Sequence, residues 1–262
     1  MISWRMKRQL AVVGILFLIT GGIVFWFGKN LIPMASCTDG RKNQGEVDTD
    51  CGGPCASCEL RNPKPLTIFW TRVAPAGANL YDAVALVENK NEFLASAKIE
   101  YEFNLYDRLG AVARKTGTSF MYPQERLYII EPSLSTTRKP TRIDFKVSMI
   151  EWQKHEGSPP LLIVESRGHS LVEEGAKKRS VVIAEVFNDS GLDLAAIETG
   201  IVVFDVQGNL LGANRVAGRG LRSGARATVK SIWQAALPGM VGTIEIYPRA
   251  NLFEPHAILV PE

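Results

Sequence analysis

Several residue types on which particular kinds of protein depend are scarce in this sequence. It has three histidines among 262 residues, and no cysteine follows Cys58. The G-x-S-x-G, H-E-x-x-H and P-loop motifs are absent, so the common sequence signs of hydrolases and nucleotide-binding enzymes are missing. The net charge of +3 is too small for the basic surface of a nucleic-acid binder. We therefore predict a protein that is not an enzyme and has no nucleic-acid partner.

A long apolar run opens the chain. No charged side chain lies between Arg8 and Lys29. As a helix, Leu10 to Phe27 would rise about 27 Å, close to the thickness of a bilayer's hydrocarbon core. This predicts a transmembrane helix over residues 9–30 after a short cytoplasmic N-terminus at residues 1–8. A cleaved signal peptide and a buried core helix are the alternatives, and Met34 to Cys37 resembles the box that precedes a lipidated cysteine.

The charges that flank this run predict an orientation. Arg5, Lys7 and Arg8 precede it, whereas Lys29 alone follows at once. Positive residues favour the cytoplasmic side of a membrane. We therefore predict a single-pass protein of the cell membrane, with the lipid bilayer as one partner, its N-terminus inside and the rest of the chain extracytoplasmic.

All four cysteines lie in one polar segment at residues 37–58: Cys37, Cys51, Cys55 and Cys58. The segment has almost no apolar residue with which to build a core, so it needs a covalent or metal staple. The even count and the extracytoplasmic location favour two disulfides, and three pairings are open. A four-cysteine zinc site is one alternative, and redox chemistry at Cys55 and Cys58 is another.

The same segment is rich in side-chain oxygens of the kind that calcium prefers. The candidate ligands are Asp39, Asn43, Glu46, Asp48 and Asp50. The alternative is that these residues only form turns in a solvated loop. No other cofactor is predicted. The order of the Asp-Gly, Asn, Gly-Glu and Asp-Cys-Gly-Gly elements resembles the C-x-DG...DCGG-x-C-x-x-C modules of secreted and surface proteins, which often serve as juxtamembrane spacers.

After a linker at residues 59–65, the sequence becomes a succession of strand patterns. At 46% hydrophobic and 22% charged residues, the composition is that of one or two globular domains. Between residues 99 and 105, apolar residues alternate with polar ones, which predicts a strand with one buried face. The predicted strands cover residues 67–73, 83–89, 99–105, 111–118, 127–131, 143–149, 161–165, 181–187, 200–205, 227–233 and 243–247.

The strand-rich part repeats itself. Asn89 and Asn188 end similar strands 99 residues apart, and Asp107 and Asp205 begin similar turns 98 residues apart. We predict a duplicated domain, at residues 66–158 and 159–262, in which each copy is a seven-stranded sandwich.

The first copy contains the signature Phe103-Asn-Leu-Tyr-Asp107, which resembles the motif that names FxLYD domains. The second copy is similar at Val203-Phe204-Asp205 and the following Gly208, but lacks the aromatic-led start. The resemblance implies an immunoglobulin-like β-sandwich of prokaryotic surface proteins. The predicted fold is thus mainly β: two tandem immunoglobulin-like sandwiches after one transmembrane helix and a small disulfide-stapled module.

One surface feature suggests a ligand. Four arginines lie in or directly after the glycine-rich stretch at residues 212–225, which we predict to form end loops of the second sandwich: Arg215, Arg219, Arg222 and Arg226. They are candidate binding residues for an anionic partner. The alternative is that they are only solvent-exposed residues of a hairpin.

The predicted function is binding or scaffolding in the prokaryotic cell envelope, with a protein or envelope polymer as partner. The alternatives are an accessory redox or metal-binding protein acting through Cys55 and Cys58, and a subunit of a surface secretion or assembly complex.

Overall fold

The computed structural model describes residues 4–31, 36–175 and 177–259, which belong to two compact units, Met1–Cys58 and Glu59–Glu262. The first unit holds the apolar helix and the cysteine segment, and the second holds every described strand. The predicted mainly-β fold with one N-terminal helix is confirmed.

The helix α1 spans Trp4–Leu31. Its Trp4–Phe27 portion is long and apolar enough to cross a membrane, and none of that portion is buried against other parts of the described chain. Large apolar side chains such as Phe17 and Leu18 are exposed. By length and composition this helix is a membrane anchor or a signal sequence. Most of the stretch that resembles a lipidation box, Met34 to Cys37, lies outside the described residues.

Two disulfides staple the cysteine segment, as predicted. They join Cys37 to Cys55 and Cys51 to Cys58. Between them the backbone makes tight turns, and Gly53 adopts a positive φ of 59° where a Cβ would press against the carbonyl of Gly45. The segment has little regular structure of its own, so covalent bonds and turn hydrogen bonds hold it. A short 3₁₀ helix, Cys58–Arg61, follows.

Twelve strands are described in the second unit. They are β1 (Thr67–Gly77), β2 (Leu80–Glu88), β3 (Leu94–Asp107), β4 (Gly110–Met121), β5 (Arg126–Ser135), β6 (Arg142–Lys154), β7 (Leu162–Glu174), β8 (Lys177–Asn188), β9 (Leu194–Asp205), β10 (Leu210–Leu221), β11 (Arg226–Ile232) and β12 (Val241–Arg249). They form four antiparallel sheets, which we call sheet A (β4-β3-β6), sheet B (β1-β2-β5), sheet C (β10-β9-β12) and sheet D (β11-β8-β7).

Each half of the strand-rich chain folds as one sandwich of two sheets. Sheets A and B enclose a core that includes Tyr101, Phe103 and Phe145, and sheets C and D enclose a core that includes Val203 and Trp233. The strand order of sheet B recurs in sheet D and that of sheet A recurs in sheet C, as expected of a duplication. Each copy has six described strands, so the prediction of seven was wrong.

The two sandwiches pack face to face through sheets B and C. Val84 and Ile130 of sheet B meet Val202, Phe204 and Ala213 of sheet C in a third apolar cluster. The four sheets therefore stack in the order A, B, C, D. The two inner sheets are covered on both faces, and this is why β2 is buried at four consecutive positions instead of alternating.

The strand β10 was missed by the sequence analysis, which predicted loops at residues 212–225. In the structure β10 pairs along its length with β9. Its glycines are required by packing: a Cβ on Gly218 would lie 2.8 Å from Cγ1 of Ile197, and one on Gly212 would lie 2.5 Å from Cδ2 of Leu237. These glycines and the intervening arginines hide the period-two pattern that marks the other strands.

Candidate functional site

The predicted calcium ligands are brought together in the cysteine module, where they bind one another and the backbone. The side-chain amide of Asn43 donates to Oδ2 of Asp39 over 2.8 Å. The amide of Gly40 donates to both carboxylate oxygens of Asp50, at 2.9 and 3.0 Å. The bond from Asn43 lowers the pKa of Asp39 and keeps that carboxyl ionised.

Glu46 is the centre of this network. It is buried, and its Oε2 accepts the amides of both Asn43 and Asp50 at 3.1 Å. The carboxylate of Asp48 accepts the adjacent Thr49 amide over 2.8 Å. These carboxylates thus hold the turns of the loop by accepting N–H donors. Calcium binding by the same oxygens stays the alternative hypothesis.

The cysteines do not form the pair that redox chemistry at the C-x-x-C would use. Cys55 is bonded to Cys37, and Cys58 is bonded to Cys51. In the described part of the chain, potential metal-ligand atoms of Cys37, Glu46 and Cys55 lie within 4.8 Å of one another. Because the two sulfurs of that group are joined in a disulfide, they are not thiolate ligands in this state.

The four predicted arginines do not share one environment. Arg226 makes a two-pronged ion pair with Glu165, with distances of 2.7 and 2.8 Å, and lies over the ring of Phe187. Arg215 lies between two glutamates in the middle of β10. Arg219 and Arg222 are exposed. The predicted end loop is thus replaced by β10, a turn and the start of β11. Arg215 on β10 and Arg226 on β11 already have carboxylate partners.

Sequence reasoning missed a buried aspartate that joins the sandwiches. Asp82 of β2 accepts hydrogen bonds from the Ser133 amide (2.9 Å), the Ala213 amide (3.0 Å) and Nε1 of Trp233 (3.1 Å). Burial raises the pKa of Asp82, and the three N–H donors offset part of that effect. The only sequence signal was a charged residue inside an otherwise apolar strand.

A second polar cluster lies at the edge of the same interface. The hydroxyl of Tyr101 donates to Oε1 of Glu131 over 2.8 Å, and Nη2 of Arg215 lies 3.9 Å from that oxygen. Burial and the neighbouring Glu131 raise the pKa of Tyr101, so the phenol stays protonated and donates. Nη1 of Arg215 lies 3.7 Å from Glu198 on the other side. A tyrosine, two carboxylates and a guanidinium thus lie together at the edge of the interface between the two sandwiches.

Glu131, Glu198 and Arg215 of this cluster line a cleft of about 820 Å³, which we call the β4 cleft. One wall is the strand β4 from Lys115 to Phe120. The floor is the face of sheet C around Ala196, Glu198, Arg215 and Ala217. Other lining residues include Asn251, Phe253 and Glu254 of the C-terminal segment. The volume is within the range of ligand-binding pockets, and the lining combines polar and apolar surface in similar amounts.

An ion pair fixes one end of this wall. Nε of Arg249 donates to Glu125 over 2.9 Å, and its Nη2 donates to the carbonyl oxygen of Phe120 over 2.7 Å. Arg249 also lies over the ring of Phe120. Because Arg249 ends β12 and Phe120 is in β4, this contact ties the two sandwiches together beside the cleft.

The comparisons with known proteins give no family. No protein-family profile matches the chain, and no curated protein is significantly similar to it. Among solved structures, red sea bream transglutaminase is 14% identical over 72% of this chain and 29% of that chain, with a TM-score of 0.25. The chain therefore spans less than a third of the transglutaminase. The tandem CBM22 domain of Paenibacillus barcinonensis Xyn10C is 8% identical over 72% of this chain and 87% of that chain, with a TM-score of 0.18. The likeness to tandem β domains is weak, and the FxLYD resemblance stays a prediction.

Proposed function

We propose that this chain is a non-catalytic binding or scaffolding protein, anchored by α1 in a prokaryotic cell membrane with its β-sandwiches in the extracytoplasmic space. The observation that carries the proposal is that the chain combines an uncovered apolar helix with a compact β unit. Apolar side chains on a helix of this length are stable where lipid covers them.

Two further features support the extracytoplasmic location. Disulfides persist where the compartment is oxidising, and the chain has two. The residues Arg5, Lys7 and Arg8 precede the apolar run, as expected for a cytoplasmic end.

Site-directed labelling of the full-length protein in intact cells tests this proposal. We expect a membrane-impermeant maleimide to label Ser223→Cys, in an exposed turn of the second unit, without permeabilisation. Lys7→Cys is the matched control and should react only after the membrane is opened. Labelling in the reverse pattern would refute the orientation, and a mature protein without residues of α1 would identify a signal sequence.

The remaining alternatives make different predictions for the extracted protein. A subunit of an assembly complex would leave mild detergent as a large particle, whereas a free-standing receptor would leave as a small one. A redox protein would contain a reactive thiol at Cys55, whereas a structural module would have all four cysteines blocked. Mild crosslinking in native membranes, followed by affinity capture and mass spectrometry, would name the partner.

A further inference from the structure

We infer that the β4 cleft binds an extended polypeptide segment of a partner protein, which adds as a fourth strand to sheet A along the free edge of β4. This inference deepens the proposed function, because it names the class of partner that the binding protein takes. It is carried by the backbone of β4, the shape of the cleft and the charges that line it.

The first observation is an unpaired strand edge. Among the described strands, β4 pairs with β3 alone. In an antiparallel pair, the backbone groups of successive residues point alternately toward the partner strand and away from it. No described hydrogen bond reaches the outward-pointing groups of residues 115–119. An edge of this kind is a template for a further strand.

The second observation is that the inward-facing residues of β4 are small or polar along the cleft. The register places Lys115, Gly117 and Ser119 opposite Phe103, Tyr101 and Ile99 of β3, on the face that elsewhere encloses the core. The sandwich core therefore ends at β3 in this region, and the space beside β4 is the cleft.

The β4 wall packs tightly against β3 and β5 at Gly117. A Cβ on Gly117 would lie 2.5 Å from the hydroxyl of Tyr101 and 2.6 Å from Oε1 of Glu131. The buried Tyr101–Glu131 pair therefore occupies the room that a side chain on β4 would need. At Gly117, therefore, no side chain of β4 would obstruct a strand that binds beside the β4 backbone.

The third observation concerns charge. The lining has three acidic and three basic side chains: Glu131, Glu198, Glu254, Lys98, Lys115 and Arg215. Its formal charge is zero, so it offers no net attraction to a polyanion such as a phosphate-rich envelope polymer. A peptide backbone, by contrast, is neutral. Its N–H and C=O groups would supply hydrogen-bond partners for the unpaired backbone groups at the edge of β4.

The floor leaves room for the side chains of such a segment. Ala196 and Ala217 are small and exposed, and they lie on the face of sheet C that borders the cleft. Residues 115–119 of β4, five of the six that form the wall, correspond to about 17 Å of strand, the length over which a short extended peptide forms its ladder. Specificity would come from the alternate side chains that point to this floor.

The test uses the full-length protein in detergent micelles and a phage-displayed library of random decapeptides. We expect the selected peptides to bind the wild type and to lose about tenfold or more in affinity for Ala217→Trp, which fills the floor. Ala196→Trp is an independent second blocking variant. Ala111→Trp, at an exposed position of β4 outside the cleft, is the matched control and should bind as the wild type does. Equal melting temperatures would show that each variant is folded.

Two further readouts separate strand addition from other binding. N-methylation of alternate peptide amides should abolish binding, and bound peptide should slow hydrogen exchange in residues 115–119. The inference is overturned if no peptide is selected, if Ala217→Trp and Ala196→Trp bind normally, or if N-methylated peptides still bind. It is also overturned if a neutral saccharide such as cellohexaose binds in the cleft and peptides do not. None of these results affects the labelling experiment that tests membrane orientation.

Discussion

Two asparagines, one directly after β2 and one at the end of β8, give the sharpest prediction about stability. Asn89 and Asn188 are fully buried. The side-chain amide of Asn89 donates to the carbonyls of Leu94 and Tyr122 at 2.6 and 2.9 Å. Its Oδ1 accepts the backbone and side-chain amides of Asn91 at 3.0 and 2.9 Å. One side chain thus secures three backbone segments of the first sandwich.

Asn188 does the same in the second sandwich. It donates to the carbonyls of Leu192 and Leu221, both at 2.8 Å, and its Oδ1 accepts the amide and hydroxyl of Ser190 at 3.1 and 2.6 Å. Replacing either asparagine by alanine removes four hydrogen bonds and leaves buried carbonyls without these donors. At about 1 kcal/mol for each bond, with an added cost for unsatisfied groups, we expect each variant to lose about 3–5 kcal/mol of unfolding free energy.

Thermal and denaturant unfolding of the full-length protein in detergent measures this loss. A loss of that size corresponds to a fall in melting temperature of about 10 °C for a unit of this length. Asn209→Ala is the matched control, because Asn209 is an exposed turn residue that bonds to Asp205, and its loss should cost less than about 1 kcal/mol. Losses below about 1 kcal/mol in both Asn89→Ala and Asn188→Ala would refute the reasoning.

The form of the transition tests the packing of the two sandwiches. Because sheets B and C share an apolar cluster and Asp82 bridges them, we expect one cooperative transition that both variants shift together. Two separate transitions, each moved by only one variant, would show that the sandwiches unfold independently.

Three further predictions concern other parts of the molecule. Gly117→Ala should lose about 1–3 kcal/mol by forcing the Tyr101–Glu131 pair apart, whereas the control Gly168→Ala, which meets no atom within 4 Å, should be nearly neutral in urea unfolding. Burial lowers the pKa of His169, whose Nε2 pairs with the Ser180 hydroxyl, so the unfolded state binds a proton first as pH falls below about 6.5. Stability should therefore fall between pH 7 and 5 more steeply in the wild type than in His169→Gln, and parallel curves would contradict this. EDTA and millimolar calcium should leave the melting temperature unchanged, because the carboxylates of the cysteine module accept N–H donors; a clear rise with calcium would instead show binding.

The strand pattern shows where prediction succeeded and failed. Eleven of the twelve described strands were predicted, because each has either alternating or continuous apolar residues that survive in the local sequence. The exception, β10, owes its place to partners that are distant in sequence, such as Leu237 and Trp233 beside Gly212. Its glycines read as turn residues when only neighbours in the chain are considered.

The candidate site was harder to predict than the strands. The sequence pointed to Arg215 as part of an anionic-ligand site, but its glutamate partners are remote in the chain or on the adjacent strand, and nothing local reveals them. Tyr101 and Glu131 gave no signal, and Asp82 gave only that of a charge within an apolar strand, because a buried polar cluster depends on which sheets face each other. For the cysteine module, the count of cysteines predicted two disulfides, whereas their pairing followed only from the tertiary structure.

The sequence by itself determined the apolar helix, the stapled cysteine segment, the mainly-β fold and its duplication. Each of these follows from composition, from a period of two or from a repeat, and such signals are carried by residues close together in the chain. Only the tertiary structure decided the stacking of the four sheets, the inclusion of β10, the disulfide pairing and the β4 cleft. These depend on contacts between residues far apart in sequence, where burial, close approach of glycines and the pairing of polar groups decide the arrangement.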